Sequence, residues 1–406
     1  MSVDVPRMEE LLGPVPVAGY GDGCGGGRGG ARHLSGVLPA LSAAIGHPVP
    51  TEVHRDPKAV QRALGLPDAR SAVVVLVDGL GFWNLAMRLG HAPYLRSLMN
   101  EPANLRPIST CTPSTTVAAM STFGTGTCPG LTCMTGYTQR NPRTGGLAQL
   151  IQFRDSIAPR DLQRQPTVFE RLTAQGVRVT SSGLPKFAAS PLTEAALRGG
   201  DYIGNVAPAE RVRVAAAAAA EPGLTYLYIR DADKVGHTYG WDSEKWIGTF
   251  ERIDAQLALL HRSVPRGTLI VISADHGMIA ADPALRVDIA EHEALRRGVA
   301  LVGGEARAPM LYVEDGVDAR EVAERWRSFL GGHALVMTRE EACSQGVFGP
   351  LDPRAGSMIG DVLVYALGAA TIVDSRTQSD AATRLPSVHG SRTMLEMDIP
   401  CLIDLT

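Results

Sequence analysis

Cysteine is scarce in this chain. The six cysteines, at positions 24, 111, 128, 133, 343 and 401 of 406, are too few and too scattered for a disulfide scaffold. Cys128 and Cys133 have metal-ligand spacing but lack a second pair, so they read as ordinary thiols in a loop. An excess of basic charge is also missing: the formal net charge is −3, which argues against binding to duplex nucleic acid. No apolar run reaches the length of a membrane span. The alanine stretch at 214–220 is too short and lies between Arg213 and Glu221. The opening MSVDVPRMEELLG has acids and prolines where a secretory leader needs a basic start and an apolar run, so the expected location is the cytoplasm, with no membrane partner. No internal repeat is visible.

What is present is ordinary globular composition, 45% hydrophobic and 20% charged. A glycine-rich stretch around residues 20–30 is expected to be mobile, within an N-terminal segment over 1–60 that also carries a leading helix at 33–46. From about residue 61 to 406 the pattern alternates. SAVVVLV at 71–77 is an unbroken apolar run, as expected of a strand buried on both faces. Further strands are expected at 177–183, 224–229, 268–273, 308–313, 333–338 and 361–367, with helices at 166–176, 243–264 and 318–332. Alternating strands and helices predict an α/β fold, a mostly parallel central sheet with helices on both faces. Ligands of such sheets bind beyond the carboxyl ends of the strands.

Those ends carry the acids and histidines. Asp78 follows VVVLV, Asp275 and His276 follow LIVIS, and LYIRDADKVGHTYG supplies Asp231, Asp233 and His237. His389 stands in LPSVHGS near the C-terminus. Taken singly, each has a structural explanation: Asp-Gly is common turn chemistry and a lone histidine is usually no ligand. Asp-x-x-x-His is stronger, because it sets two ligands on one turn. The conjunction at several strand ends suits a metal with mixed nitrogen and oxygen donors, zinc first, manganese or iron next. The other informative stretch is CTPSTTVAAMSTFGTG, 111–126, where Thr116 stands before an expected helix. A hydroxyl there feels the positive end of the helix dipole, a setting that suits a phosphate, although a threonine at that place also serves as a plain helix cap.

Taken in order, VDG, PSTT, DKVGHTYG, ADHGM and VHG followed by EMDIPCLI resemble the alkaline phosphatase superfamily, and most closely its nucleotide pyrophosphatase/phosphodiesterase-type branch, over roughly residues 70–404. The resemblance implies an alkaline phosphatase-like core, a small inserted cap subdomain about 285–350, and two bound divalent ions. It places Asp78, Thr116, Asp275 and His276 at the metal beside the nucleophile, and Asp233, His237 and His389 at the other. It makes Thr116, third after Pro113, the nucleophile, with Thr115 as the alternative. The implied activity is hydrolysis of a small phosphorylated substrate, such as a nucleotide or phosphodiester, through a phosphothreonine.

The chain departs from that branch just after the nucleophile, where Val117, Ala118 and Ala119 replace Pro-Asn-His. The phosphate-contacting asparagine expected some twenty residues later is replaced by MTGYTQR, so Tyr137 is the substitute donor, with Lys186 and Arg154 as further substrate contacts. Diester, monoester and phosphonate substrates therefore stay open. A sulfatase would need Cys-x-Pro-x-Arg, and Cys111-Thr-Pro-Ser-Thr lacks the arginine. A phosphomutase would share the same ligands. A silent metal-binding protein is the reading from another class, opposed by the presence of both the hydroxyl and all six other ligands.

Overall fold

The computed structural model describes residues 3–21 and 28–406. Residues 22–27, the middle of the glycine-rich stretch expected to be mobile, lie outside the described residues. On either side of them Gly19–Tyr20 and Gly29–Gly30 pair as a short parallel ladder, more regular than the sequence alone suggests.

The centre of the molecule is a six-stranded sheet. Its strands are β1 (Ser71–Val77), β2 (Val179–Gly183), β3 (Asp201–Gly204), β4 (Gly223–Ile229), β5 (Leu269–Ser273) and, after a second sheet described below, β10 (Cys401–Leu405). The order is β10-β5-β1-β4-β2-β3, parallel except for the antiparallel edge strand β10. Every residue of β1 is buried although successive side chains point to opposite faces, so the sheet is covered on both sides. Helices α1 (Leu34–Ala44), α2 (Thr116–Thr125) and α5 (Glu244–Ser263) contribute to the apolar core around it; α3 (Pro191–Ala196) and α4 (Asp231–Tyr239) lie nearer the site. Helix α5 starts on a Ser243 cap that accepts the N–H of Trp246, and it buries Trp246, Phe250, Ile253, Leu257 and Leu260, residues three to four apart.

The strands expected at 308–313, 333–338 and 361–367 do form, but in a separate antiparallel sheet. It contains β6 (Val299–Glu305), β7 (Ala308–Val313), β8 (Ala334–Thr338) and β9 (Val362–Ala366), in the order β6-β7-β9-β8. Helix α6 (Ala319–Leu330) links β7 to β8 as a crossover helix would, yet β9 inserts between them and pairs antiparallel with both. The local strand–helix–strand pattern was therefore legible, and the partner strand was not. Apolar alternation says which face is buried, not which strand lies alongside. The span expected as a cap, 285–350, thus holds β6, β7, α6 and β8, and its sheet is completed by β9 from beyond that span.

Register places the site. Leu76 of β1 lies opposite Ser273 of β5, and Val77 lies opposite Ile229 of β4. Three parallel strands therefore end at one level, and the residues just past each end converge.

Candidate active site and metal centre

Asp78 follows β1, Asp275 and His276 follow β5, and Asp233 and His237 sit one turn apart on α4 after β4. Ligand atoms of Asp78, Asp275 and His276 lie within 4.8 Å of one another, and so do those of Asp233, His276 and His389. His276 Nε2 is 3.3 Å from Asp275 Oδ2 and 3.7 Å from Asp78 Oδ1. His237 Nε2 is 3.2 Å and His389 Nε2 3.7 Å from Asp233 Oδ1. Thr116 Oγ1 lies 3.2 Å from His276 Nε2. The seven residues that the sequence placed around two metals are thus brought together.

The backbone makes this convergence possible. Gly79 has φ +74°, and a Cβ there would meet the Cα and Cβ of Asp233 at 2.9 Å, so only glycine lets α4 approach β1 this closely. The approach is fixed by the Asp233 N–H donating to the Asp78 carbonyl at 3.0 Å. Gly79 N–H and His276 N–H both donate to Asp275 Oδ1 at 3.0 Å, which orients that carboxylate.

The histidine orientations follow one rule. His237 Nδ1 faces the Ser387 carbonyl at 2.8 Å, His389 Nδ1 the Ser114 carbonyl at 2.9 Å, and His276 Nδ1 the Gly277 carbonyl at 3.2 Å. A carbonyl only accepts, so Nδ1 carries the proton and each Nε2 turns a lone pair into the cluster. The carboxylates agree with this. Asp78 Oδ1, Asp233 Oδ1 and Asp275 Oδ2 are buried with no hydrogen-bond partner. Three orphaned oxygens facing three bare imidazole nitrogens fit divalent cations, since buried polar atoms otherwise find donors.

The electrostatics divide the histidines: burial would lower the His237 imidazole, but Asp233 holds it above its ordinary value, whereas His389 is lowered. Burial, reinforced by Asp275 and Asp233, pushes the Asp78 carboxyl well above its ordinary range, against a hydrogen bond from Tyr228. Burial would also raise Asp233, but His237 beside it, with His389 and His276, holds it below the usual carboxylate range. Burial and the neighbouring His276 and His237 push His389 well below an ordinary imidazole. A neutral imidazole is the form that binds a metal.

Thr116 is the first residue of α2, and Thr115 before it makes no side-chain cap. The helix's leading N–H groups and its positive dipole end are left facing the site. Thr116, Asp78, Asp233 and His237 form one wall of a cavity of about 560 Å³. Of the three expected substrate contacts, Lys186 lines this cavity. Tyr137 lies elsewhere, its hydroxyl accepting from Gln149 Nε2 at 2.7 Å, and Arg154 is an exposed residue outside the lining. None of the lining residues comes from 285–350.

Two supporting groups escape sequence reading. Arg307, in the turn between β6 and β7, forms a fully buried ion pair with Glu396 at 2.7 Å. Glu396 in turn accepts from Ser391 N–H at 2.9 Å and Thr393 Oγ1 at 2.6 Å, while its carbonyl accepts from Gly277 N–H at 2.9 Å. It thereby ties the His389 loop to the His276 loop. Glu305 lies behind the nucleophile beside Thr115, and burial pushes its carboxyl up to about 8. The only sequence signal for either was a charged residue within or next to an apolar strand. Cys128 and Cys133 are buried thiols, their acidity suppressed by burial to about 12 and about 11.

A carboxylate–histidine cluster at the ends of parallel strands, beside a hydroxyl at a helix start, is the arrangement that the resemblance to the alkaline phosphatase superfamily, a class of phosphoester hydrolases, implied. Residues 72–390 match the Type I phosphodiesterase / nucleotide pyrophosphatase family, and the chain belongs to it. That family implies divalent metal ions. The fold is similar to murine ectonucleotide pyrophosphatase/phosphodiesterase 5 at 16% identity and TM-score 0.66, covering 82% of this chain and 87% of that one; an inactive form of the mouse protein was solved in complex with AMP. It is also similar to phosphonoacetate hydrolase from Sinorhizobium meliloti, solved with phosphonoacetate, at 22% identity and TM-score 0.65, covering 83% and 90%. The human form of the first protein gives 17% identity and TM-score 0.62 over 82% and 87%. A comparison with curated proteins finds no match. No helix among the described residues is long and apolar enough to cross a membrane.

Proposed function

We propose that the chain is a two-metal phosphodiesterase of nucleotide-like substrates acting through a phosphothreonine on Thr116. The observation that carries this reading is the position of Thr116 Oγ1, 3.2 Å from His276 Nε2 at the start of α2 and on the wall of the cavity. Asp78, Asp275 and His276 with Thr116 would hold one ion, and Asp233, His237 and His389 the other. The donor set suits zinc, and manganese is the other ion it accommodates. Two divalent cations, when bound, lower the pKa of the hydroxyl and offset charge on the phosphoryl oxygens. Thr116 Oγ attacks phosphorus in line, forming the Oγ–P bond as the bond to the leaving oxygen breaks. The free N–H groups at the start of α2 are placed to donate to a non-bridging oxygen. Water then cleaves the phosphothreonine, restoring the hydroxyl. The small subdomain around 285–350 supports the site from behind, through Arg307 and Glu305, rather than covering it.

A second reading, hydrolysis of a phosphonate, is favoured by two observations: Ala118 and Ala119 stand where the branch has its polar Asn-His after the nucleophile, and a phosphonoacetate hydrolase shares the fold. Chelator-stripped protein reloaded with zinc or manganese would be assayed on bis-p-nitrophenyl phosphate, p-nitrophenyl phosphate, a diadenosine polyphosphate and phosphonoacetate. Metal-dependent cleavage of diesters above monoesters is expected. Cleavage of phosphonoacetate alone would move the assignment to the second reading. No cleavage of any of them with two ions bound would overturn both.

A further inference from the structure

The cavity beside Thr116 has an uneven charge. Its floor is apolar and aromatic, including Phe187, Tyr202, Tyr226, Tyr228 and Leu197. Its rim carries three cations, Lys186, Arg230 and Lys234, and among the described residues none of the three side chains forms an ion pair or a hydrogen bond. Asp231, next in sequence to Arg230, is turned to Arg211 at 3.7 Å and does not neutralise them. Among the described residues the only carboxylates on the cavity wall are Asp78 and Asp233, both part of the candidate metal cage.

The three cations come from two elements. Lys186 sits in a short 3-10 turn after β2, with Nζ 5.0 Å from the centre of the Phe187 ring. Arg230 precedes α4 and Lys234 lies in its first turns, on the same cavity-facing side as Asp233 and His237. Phe187 meets Tyr228 edge-on at 5.7 Å, which fixes an aromatic corner under the cations. Partial burial and then the neighbouring Arg230 and Lys234 lower Lys186 from its ordinary value, which places the three charges within each other's fields. Like charges gathered with no counter-charge repel, and an arriving oxyanion relieves that repulsion.

We propose that Lys186, Arg230 and Lys234 form a subsite for a second oxyanion of the substrate, a carboxylate or a further phosphate, carried on a flat apolar stem that lies on Phe187 and Tyr228. The substrates are then phosphate or phosphonate esters charged at both ends, one end reacting at Thr116 and the other held at the rim. This rests on the assignment of Thr116 as the reacting residue.

The test compares matched probes on the full-length, metal-loaded protein. 4-Nitrophenyl phenyl phosphates carrying a para carboxylate, a para phosphonate or a para carboxamide differ little in shape and mainly in charge. KM for at least one charged probe is expected to be about tenfold below that of the carboxamide at low ionic strength, with similar kcat, because charge-assisted hydrogen bonds are worth about one power of ten. The advantage should shrink with added salt and fall to about one in K186Q/R230Q, whose metal content and melting temperature report its folding. The more favoured of the two charged groups identifies the oxyanion. Equal KM for all three probes in the unaltered protein, or a preference that survives in K186Q/R230Q, overturns the proposal. Calorimetric binding of 4-carboxyphenylphosphonate against 4-carbamoylphenylphosphonate separates the two levels of inference. A binding preference without turnover of any ester sinks the hydrolase reading and leaves the subsite standing, whereas equal binding sinks the subsite alone.

Discussion

The ligands of the cage fall into two sets with different surroundings. The side chains of Asp78, Asp275 and His276 are 5%, 0% and 0% exposed, whereas those of Asp233, His237 and His389 are 19%, 27% and 10% exposed. The inner set hangs from the ends of two paired strands, and Asp275 is oriented by backbone donors, so the sheet builds it. The outer set comes from a helix and a distant loop, and its members are held chiefly by one another and by single carbonyls. On the proposed mechanism, the nucleophile would be activated in the more deeply buried set, and contact with incoming and departing groups would fall to the set nearer solvent.

The strongest way to break this comparison is to remove the nucleophile. Thr116→Ala is expected to lower kcat/KM by about a thousandfold or more while elemental analysis still finds two ions, since the six other ligands are untouched. Retained activity would transfer the nucleophile to Thr115 or to water. Next, Asp275→Ala and Asp233→Ala should both lose an ion but differ without metal. Denaturant melts of the chelated proteins should show Asp275→Ala destabilised by about 2–3 kcal/mol, because two buried N–H groups lose their acceptor. Asp233→Ala should stay within about 1 kcal/mol of the parent, since among the described residues no buried N–H group depends on its carboxylate and its partners His237 and His389 are 27% and 10% exposed. Equal losses would mean that the outer set is as much a part of the fold as the inner.

Gly79→Ala attacks the contact between the sets. The added methyl meets Asp233, so a drop of about 10–100-fold in metal affinity is expected by competition with a chromogenic chelator. The smallest effect concerns Glu305, a carboxyl buried outside the cage with no histidine to charge against. Its folded value of about 8 lies above its unfolded one, so its contribution is full below the ordinary carboxyl range and is lost as pH rises through about 8. Melting temperatures of Glu305→Gln should therefore fall less than those of the parent between pH 5 and pH 9.

Much of this arrangement could be read from the chain. The run 71–77 and the apolar ends at 229 and 273 identified the sheet, and the acids immediately beyond them identified the cage, because parallel strands gather their ends. The helix start at Thr116 was legible from VAAMSTF, whereas its part as nucleophile came only from the family resemblance. The second sheet was not, because residues 314–361 separate β9 from its partner β7, and apolar patterning carries no partner label. Lys186 was singled out as a substrate contact, and it lines the cavity, but Arg230 and Lys234 were not singled out. Their significance lies in having no counter-ion, a property of three dimensions. Arg307 and Glu396 escaped for the converse reason: each looks like a surface charge until the fold buries both together.

That buried pair has a consequence for how the chain can be divided. Arg307 belongs to the β6–β7 turn, and Glu396 belongs to the segment that leads into β10, so the small sheet and the large one share a single charge compensation. Cutting out residues 299–366 would strand Glu396 in an apolar interior, where an unpaired charge costs about 3–5 kcal/mol. The small sheet is consequently not a cassette that recombination could swap between relatives by its ends alone; any exchange has to carry the arginine with it.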